Sequence, residues 1–265
     1  MNLGLTETKK ELHPIKKKAE TFFYQGDHND SVAILVHGFT GSPNDMRDLA
    51  DFLFSNDIDV LAVRLAGHGS HYEDLIRTSY SDWWKSVKEA IAQVEKTHRR
   101  IFLVGYSFGS NLVIDLAARE PEKYSGIVCL GTSIFSRIHK MERVMYYFFR
   151  LIRKAAWRKP YVAKGKIESF ELAGNYAHIP VKNAGEVYYF IDNYTKKELS
   201  RVTTPTLIIH SRDDRISHPK SSEYLFEHLG SKHKEMFILN EPNHNPLRSD
   251  NKNKIFERIL LFIQD

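Results

Sequence analysis

One serine in this sequence lies in a setting that could activate it for nucleophilic attack. The apolar run Ile101–Val104 leads into Gly105-Tyr-Ser107-Phe-Gly109, and a helix-like pattern follows. A strand that enters G-x-S-x-G and leaves as a helix exposes the serine hydroxyl at a sharp turn. Both glycines are needed because side chains would clash across that turn, and the helix N-terminus faces developing negative charge. We predict that Ser107 is a nucleophile; a serine in an ordinary glycine-flanked turn is the alternative.

Backbone amides that could stabilise an oxyanion are found at two places. The strand-like run Val32–Val36 ends in His37-Gly38 and a loop. Acyl transfer places negative charge on a carbonyl oxygen, and two fixed N–H groups stabilise it well because they do not reorganise. We predict that the donors are the amide of Phe39, in this loop, and the amide of Phe108, next to the nucleophile. The His-Gly pair by itself is equally typical of a plain turn.

A serine nucleophile needs a base, usually histidine, and that histidine needs an orienting carboxylate. The chain has 13 histidines, so position must select among them. Where a serine lies on such a turn, the chain order is Ser, then Asp or Glu, then His. Asp213 and Asp214 both follow the run Thr206–His210, and His244 follows the next run, Met236–Leu239. We predict His244 as the base and one of these two aspartates as its partner.

The remaining histidines fit the role of base less well. His37 and His68 precede the nucleophile, and His210 lies inside a strand-like run. No spacing of histidines, cysteines and carboxylates is typical of a metal site. We therefore expect neither a metal nor any other cofactor.

The elements that would position these residues alternate along the chain. Runs of strand length are Ala19–Gln25, Ser31–Val36, Asp59–Val63, Ile101–Val104, Ile127–Leu130, Thr206–His210 and Met236–Leu239. Apolar spacing predicts helices over Asn44–Ser55, Tyr80–Thr97, Ser107–Arg119, Pro219–Leu229 and Leu247–Ile263. This alternation predicts an α/β fold with a mainly parallel central sheet flanked by helices.

One long segment interrupts the alternation. Residues 133–202 are rich in aromatic residues and mostly helical in pattern, and the strand–helix rhythm resumes after them. We predict that residues 1–132 and 203–265 form the core, and that 133–202 are a helical cap inserted over the sheet.

A helical pattern within this insertion, Met141–Lys154, combines a broad apolar face with flanking basic residues. The favoured interpretation is that aromatic residues of the cap line an acyl pocket, with Met145, Phe148, Phe149 and Tyr188 as candidates. A second interpretation is a basic amphipathic helix that makes weak contact with a membrane surface or guides anionic substrates. The same helix could instead join two copies in a homodimer.

Composition bears on partners and location. The net charge is +5, but residues 137–166 hold ten Lys or Arg and one acid, so they carry +9 and the remainder carries −4. The basic segment lacks a nucleic-acid-binding motif, so we expect no nucleic-acid partner.

No apolar run approaches the roughly 18–20 residues that span a bilayer. The polar N-terminus and the single Cys129, in a strand-like run, agree with a cytoplasmic protein.

Taken together, these motifs resemble the bacterial carboxylesterases and monoacylglycerol lipases of the α/β-hydrolase superfamily. The resemblance is carried by Ala19–Tyr24, His37–Pro43, Gly67–Gly69, Glu73–Leu75, Asp82–Trp84 and Gly105–Gly109. It covers residues 19–132 and 203–265, and the cap carries no matching motif.

The resemblance also bears on the choice between the two aspartates. The family's acid is the fourth residue of a G-x-x-D motif, which Ser211-Arg-Asp-Asp214 matches except at its first residue. The resemblance therefore implies Asp214 rather than Asp213. The family's final Gly-His pair is Asn243-His244 in this chain.

These features predict a serine carboxylester hydrolase that forms an acyl-enzyme. Its expected partner is a small-molecule ester with a short-to-medium acyl chain, or a monoacylglycerol. The same triad is also compatible with thioester, peptide or C–C bond hydrolysis and with acyl transfer. A non-catalytic lipid-binding protein with this fold is an alternative of a different class.

Overall fold

A twisted sheet with helices on both faces forms the centre of the molecule. The computed structural model describes residues 11–27, 30–136, 156–159, 162–240 and 244–265. The strands are β1 Phe22–Tyr24, β2 Ser31–Val36, β3 Asp59–Val63, β4 Arg100–Tyr106, β5 Gly126–Leu130, β6 Ala156–Arg158, β7 His178–Pro180, β8 Thr206–Ser211 and β9 Lys234–Leu239. The helices are α1 Arg47–Phe54, α2 Tyr72–Ile76, α3 Tyr80–Val94, α4 Phe108–Arg119, α5 Ile167–Leu172, α6 Val181–Phe190, α7 Lys196–Glu198, α8 Lys220–His228 and α9 Lys252–Gln264.

The main sheet has the strand order β1-β3-β2-β4-β5-β8-β9 over the described residues. β1 pairs antiparallel with β3, and the other neighbouring pairs are parallel. The predicted α/β fold with a mainly parallel sheet is thereby confirmed. Because parallel strands end at the same edge, the segments that follow β2, β4, β8 and β9 meet there.

Side-chain alternation along β2 shows how the two faces of the sheet are covered. Ile34 packs in a cluster that includes Trp83 of α3. Leu35 points to the other face, where its cluster includes Leu49 of α1 and Ile259 of α9. Both faces are buried, which explains why the strands read as nearly continuous apolar runs.

Several element ends differ from those predicted from apolar spacing. The predicted helix 44–55 is a 3₁₀ turn, Pro43–Met46, followed by α1, and a capping box between Ser42 and Asp45 opens the turn. The predicted helix 247–263 is likewise a 3₁₀ turn, Pro246–Arg248, and α9 begins only at residue 252. Apolar spacing does not distinguish a first 3₁₀ turn from an α-helical one.

The insertion between β5 and β8 is not purely helical. Its described part contains α5, α6 and α7, and also the antiparallel pair β6–β7, which the sequence analysis did not predict. Each of these strands is three residues long, too short for an alternating pattern to stand out. No helix in the described ranges has the length and apolar character needed to cross a bilayer.

Polar side chains fasten the insertion to loops that follow β3. The Asn183 amide donates to the carbonyls of Leu75 and Thr78 at 2.8 and 3.0 Å. The Tyr176 hydroxyl donates to the Gly67 carbonyl at 2.8 Å. Since these loops lie at the carboxyl edge of the sheet, the insertion is held at that edge.

Candidate active site

The turn between β4 and α4 holds Ser107 in a strained backbone conformation. Its φ is 52°, which non-glycine residues rarely adopt and which costs of order 1–3 kcal/mol. A Cβ on Gly109 would lie 2.2 Å from the Val36 carbonyl oxygen, and one on Gly105 would lie 2.5 Å from the Ser110 backbone nitrogen. Only glycine fits at either position, because the turn packs directly against its own helix and β2.

A chain of two contacts joins the three predicted catalytic side chains. The Ser107 Oγ lies 3.0 Å from the His244 Nε2, and the His244 Nδ1 lies 2.7 Å from the Asp214 Oδ2. The three residues follow β4, β9 and β8, whose carboxyl ends share one edge of the sheet. This is the arrangement in which a histidine can take a proton from a serine hydroxyl.

Asp214 is fully buried and held as a carboxylate. Its Oδ1 accepts hydrogen bonds from the backbone N–H groups of Ile216 and Ser217 at 2.7 and 3.0 Å. Burial raises the pKa of Asp214, but the hydrogen bonds that its carboxylate accepts from His244 and from the Ile216 N–H outweigh burial and hold the pKa below its usual value. Asp213, by contrast, is exposed to solvent.

A second histidine lies beside the same carboxylate. The His210 Nε2, on β8, is 3.5 Å from the Asp214 Oδ2, and the His210 side chain is buried. Burial lowers the pKa of His210, which favours its neutral form. Sequence reasoning set this residue aside because of its place in a strand, and the four-residue spacing to Asp214 is the signal that could have drawn attention to it.

The two predicted oxyanion donors come from the loop after β2 and from the start of α4. Phe39 and Phe108 both line the cavity that contains Ser107, and Phe108 is the first residue of α4. Within the described ranges, no protein acceptor takes a hydrogen bond from either backbone N–H. Both amides are therefore available to an oxygen atom bound next to the Ser107 hydroxyl.

Hydrogen bonds of His37 stabilise the loop that contains Phe39. Its Nε2 accepts from the Leu65 N–H at 3.2 Å, so its Nδ1 carries the proton and donates to the Gly38 carbonyl at 2.9 Å. Burial lowers the pKa of His37 to about 4, so the ring is neutral at neutral pH. His68 packs 5.1 Å from this ring and its pKa is also lowered by burial.

We expect the protein to lose stability as the pH falls from about 6.5 towards 4, where the unfolded chain binds protons that buried His37 does not. Above about pH 6.5 His37 is mostly neutral in the folded and in the unfolded chain, so its titration does not lower the free energy of unfolding. Near pH 5 proton binding to this residue in the unfolded chain lowers the free energy of unfolding by about 2 kcal/mol. Urea unfolding near pH 7.5 and near pH 5 measures this loss.

A His37→Asn variant should show a smaller difference between the two pH values, whereas replacement of the exposed His233 by asparagine should leave the difference as in wild type. An unchanged difference in the His37 variant would contradict this role.

A cavity of about 520 Å³ opens above Ser107. The aliphatic side chains that line it, the apolar wall, are Ile134, Ile179, Ala184, Val187, Ile191 and Ile216. Tyr188 lines the cavity, where the sequence analysis placed it. The other three predicted lining residues, Met145, Phe148 and Phe149, lie outside the described residues.

A second group of lining residues, the charged corner, consists of Asp45, Lys159, Asn175 and Arg248. The Asp45 Oδ1 accepts from the Arg248 guanidinium at 2.6 Å and from the Asn175 amide at 3.2 Å. Burial lowers the pKa of Lys159 to about 8, and the nearby Asp45 carboxylate opposes that shift. Sequence reasoning missed this corner, because its members come from four separate segments and only the Ser42–Asp45 capping pattern is visible locally.

One group of side chains could hold a metal ion in the described part of the chain. Ligand atoms of His13, His71 and Glu73 lie within 4.8 Å of one another. None of these residues belongs to the described lining of the Ser107 cavity. The group therefore has no evident part in chemistry at Ser107.

Comparison with known proteins agrees with this geometry. The family described as serine aminopeptidase, S33 matches residues 27–251. A thermostable monoacylglycerol lipase of Bacillus sp. (strain H-257) is 30% identical over 95% of this chain and 97% of that protein. A carboxylesterase of Bacillus subtilis (strain 168) is 24% identical over 84% of this chain and 87% of that protein.

Solved structures point to the same fold. A structure of a metagenome-derived lipolytic enzyme, from work on LipS and LipT, has a TM-score of 0.82 at 26% identity, over 95% of this chain and 99% of that one. The monoacylglycerol lipase of Paleococcus ferrophilus has a TM-score of 0.75 at 20% identity, over 92% of this chain and 98% of that one.

Proposed function

Because the chain belongs to the serine aminopeptidase, S33 family of α/β-hydrolases, we propose that it hydrolyses carboxylic esters of small molecules. The proposed substrates are esters with short-to-medium acyl chains, or monoacylglycerols. The observation that carries the proposal is the Ser107–His244–Asp214 arrangement beside a cavity with an apolar wall. Relatives named monoacylglycerol lipase and carboxylesterase support the choice of an ester.

In the first half of the reaction, His244 takes the proton of the Ser107 hydroxyl as the serine oxygen attacks the ester carbonyl carbon. The carbonyl oxygen becomes an oxyanion and accepts hydrogen bonds from the Phe39 and Phe108 amides. The bond to the alcohol oxygen then breaks, and His244 gives its proton to the departing alcohol. The acyl group is left on Ser107.

In the second half, a water molecule replaces the alcohol. His244 takes one proton from this water as its oxygen attacks the acyl carbon, and the same two amides again hold the oxyanion. The bond to Ser107 breaks, and its oxygen recovers the proton from His244. Asp214 keeps the histidine ring oriented and stabilises its charged form throughout.

The cavity favours an ester over the peptide that the family description suggests. An aminopeptidase must bind a free ammonium group, for which a carboxylate is the natural partner. Among the described residues that line the cavity, Asp45 carries the carboxylate, and this group already accepts hydrogen bonds from Arg248 and Asn175. The apolar wall instead suits an alkyl chain.

We also propose that residues 133–202 act as the cap that selects the substrate. The membrane-surface contact, the homodimer and the cytoplasmic location stay predictions of the sequence, as does the lack of a nucleic-acid partner.

Hydrolysis of p-nitrophenyl esters from acetate to palmitate tests the proposal, with aminoacyl p-nitroanilides as the competing class. We expect kcat/KM to peak at one short-to-medium acyl chain, and 1-monoacylglycerols of that chain to release glycerol. Faster turnover of the anilides than of the esters would replace esterase by aminopeptidase activity. No turnover of any ester would overturn the proposal.

A further inference from the structure

Three side chains that commonly bind metal ions meet where the segment before β1 contacts helix α2. His13 belongs to that segment, His71 is the N-cap residue of α2, and Glu73 lies in its first turn. The Glu73 Oε2 lies 3.6 Å from the His13 Nε2 and also 3.6 Å from the His71 Nδ1. Both distances are too long for a hydrogen bond. The three side chains therefore converge without a direct hydrogen bond from either imidazole to the carboxylate.

The spacing of these ligand atoms suits one small transition-metal ion. Zinc binds imidazole nitrogen and carboxylate oxygen at roughly 2.0–2.2 Å, so neighbouring ligand atoms in a tetrahedral site lie roughly 3.3–3.5 Å apart. Two of the separations are 3.6 Å, and ligand atoms of all three residues lie within 4.8 Å of one another. The side chains are between 36% and 53% exposed, so small rotations can bring all three onto one ion. Two histidines, one glutamate and a water molecule are an established zinc ligand set.

A buried carboxylate orients the His13 ring for this role. The Asp74 Oδ2 lies 3.2 Å from the His13 Nδ1, and Asp74 is only 2% exposed. A carboxylate can only accept, so the neutral imidazole carries its proton on Nδ1, and Nε2, the atom that faces Glu73, keeps its lone pair. The Leu12 N–H and the Ser70 hydroxyl donate to the Asp74 carboxylate and hold it in place. A carboxylate behind a histidine is the usual support of a histidine that binds zinc.

The backbone of α2 orients the second ring. The His71 Nδ1 accepts from the Glu73 N–H at 3.4 Å, so the neutral ring carries its proton on Nε2. This contact is longer than an ordinary N–H hydrogen bond and is weak. A metal ion beside Nδ1 would therefore displace little, and it would gain the lone pair of a ring that the helix already holds in position.

We propose that His13, His71 and Glu73 bind one divalent transition-metal ion, with zinc as its model, and that this ion fastens the segment before β1 to α2. Imidazole nitrogen favours zinc over calcium and magnesium, which prefer oxygen ligands. None of the three residues belongs to the described lining of the Ser107 cavity, so the ion has a structural role, separate from the proposed ester hydrolysis. Spacing along the chain did not predict the site, because His13 lies 61 residues from Asp74, the residue that orients it.

The position of α2 gives such an ion a wider effect on stability. The Lys182 ammonium, in the insertion, donates to the carbonyl of Ile76 at the end of α2 at 2.9 Å. The ring of Tyr72, at its start, lies 5.8 Å from the ring of His178 on β7. An ion that fixes the start of α2 therefore also stabilises the surface on which the insertion rests.

Zinc titration of the full chain, purified without a histidine tag and stripped with EDTA, tests the proposal. Isothermal titration calorimetry should give one zinc ion per chain with a Kd below about 10 μM. Free zinc at about 100 times the Kd should raise the Tm by about 5–10 °C, because the ion binds the folded chain and not the unfolded one. Millimolar calcium or magnesium should not displace the zinc, and hydrolysis of p-nitrophenyl butyrate should be unchanged by it.

Variants assign the binding to these side chains. Glu73→Gln keeps the size of the side chain and removes its charge, and His71→Asn keeps a good N-cap residue while it removes the imidazole. Each should weaken zinc binding by more than about 100-fold and abolish the zinc-dependent rise in Tm. His233→Asn, which removes an exposed histidine elsewhere, should keep the wild-type affinity. Thermal unfolding without zinc checks that each variant folds.

Wild-type protein that binds no zinc below about 1 mM would overturn the proposal. So would zinc binding that Glu73→Gln and His71→Asn leave at wild-type affinity, because the ion would then lie elsewhere. Displacement of zinc by calcium at equal concentration would show a site built from oxygen ligands and would overturn the assignment to these histidines.

Discussion

Replacement of Ser107 by alanine should lower kcat for ester hydrolysis by about 10⁴- to 10⁶-fold. In the proposed mechanism the serine oxygen forms the acyl-enzyme, and it lies 3.0 Å from the His244 Nε2. Residual catalysis would come from substrate binding and from the Phe39 and Phe108 amides, which the substitution leaves in place. Steady-state kinetics with the best p-nitrophenyl ester measures the effect.

Labelling with a fluorophosphonate gives an independent readout of the same serine. Wild type should gain one covalent adduct, found on the peptide that contains Ser107, and the alanine variant should gain none. Thermal unfolding serves as the control, because alanine must adopt the same φ of 52° at the turn. A folded variant that keeps wild-type turnover would show that Ser107 is not the nucleophile.

The two neighbouring aspartates should differ sharply in their effects on catalysis. Asp214→Asn is expected to lower kcat by about 10⁴-fold, because an amide can donate a hydrogen bond to the His244 Nδ1 and so stabilise the wrong tautomer. Asp214 accepts from His244 at 2.7 Å and is fully buried, so water cannot replace the lost carboxylate.

Asp213→Asn is the matched control, because it makes the same chemical change one residue away. Asp213 is exposed, so we expect its variant to keep kcat and KM close to those of wild type. Steady-state kinetics on both variants, with a thermal-unfolding check on each, distinguishes the roles of the two aspartates in catalysis. Equal activity in both folded variants would contradict the role of Asp214, and a loss confined to the Asp213 variant would reverse the assignment.

The local part of this fold could be predicted from sequence. The G-x-S-x-G run between an apolar strand and a helix encodes its own backbone geometry, since only glycine fits beside Val36 and Ser110. The run predicted the turn that carries Ser107. Strand positions followed from apolar runs, because the inner strands β2, β3, β5 and β8 are buried along nearly their whole length. The family resemblance added the choice of Asp214 over Asp213.

Element ends and short elements were predicted less well. The β6–β7 pair went unrecognised because three residues hold too few alternations, and α9 starts five residues later than the predicted helix 247–263. Backbone hydrogen bonding at an element end depends on capping and on neighbours, which apolar spacing does not report.

Tertiary structure decided which side chains meet. It set Asp214, the aspartate that the resemblance implied, against His244, and it placed His210 beside the same carboxylate. The charged corner joins Asp45 to Asn175 and Arg248, 130 and 203 residues further along the chain. Sequence patterns report backbone preference and burial over a few residues, because those depend on near neighbours. Contacts across such separations depend on how the elements pack, so the charged corner became visible only in the folded cavity.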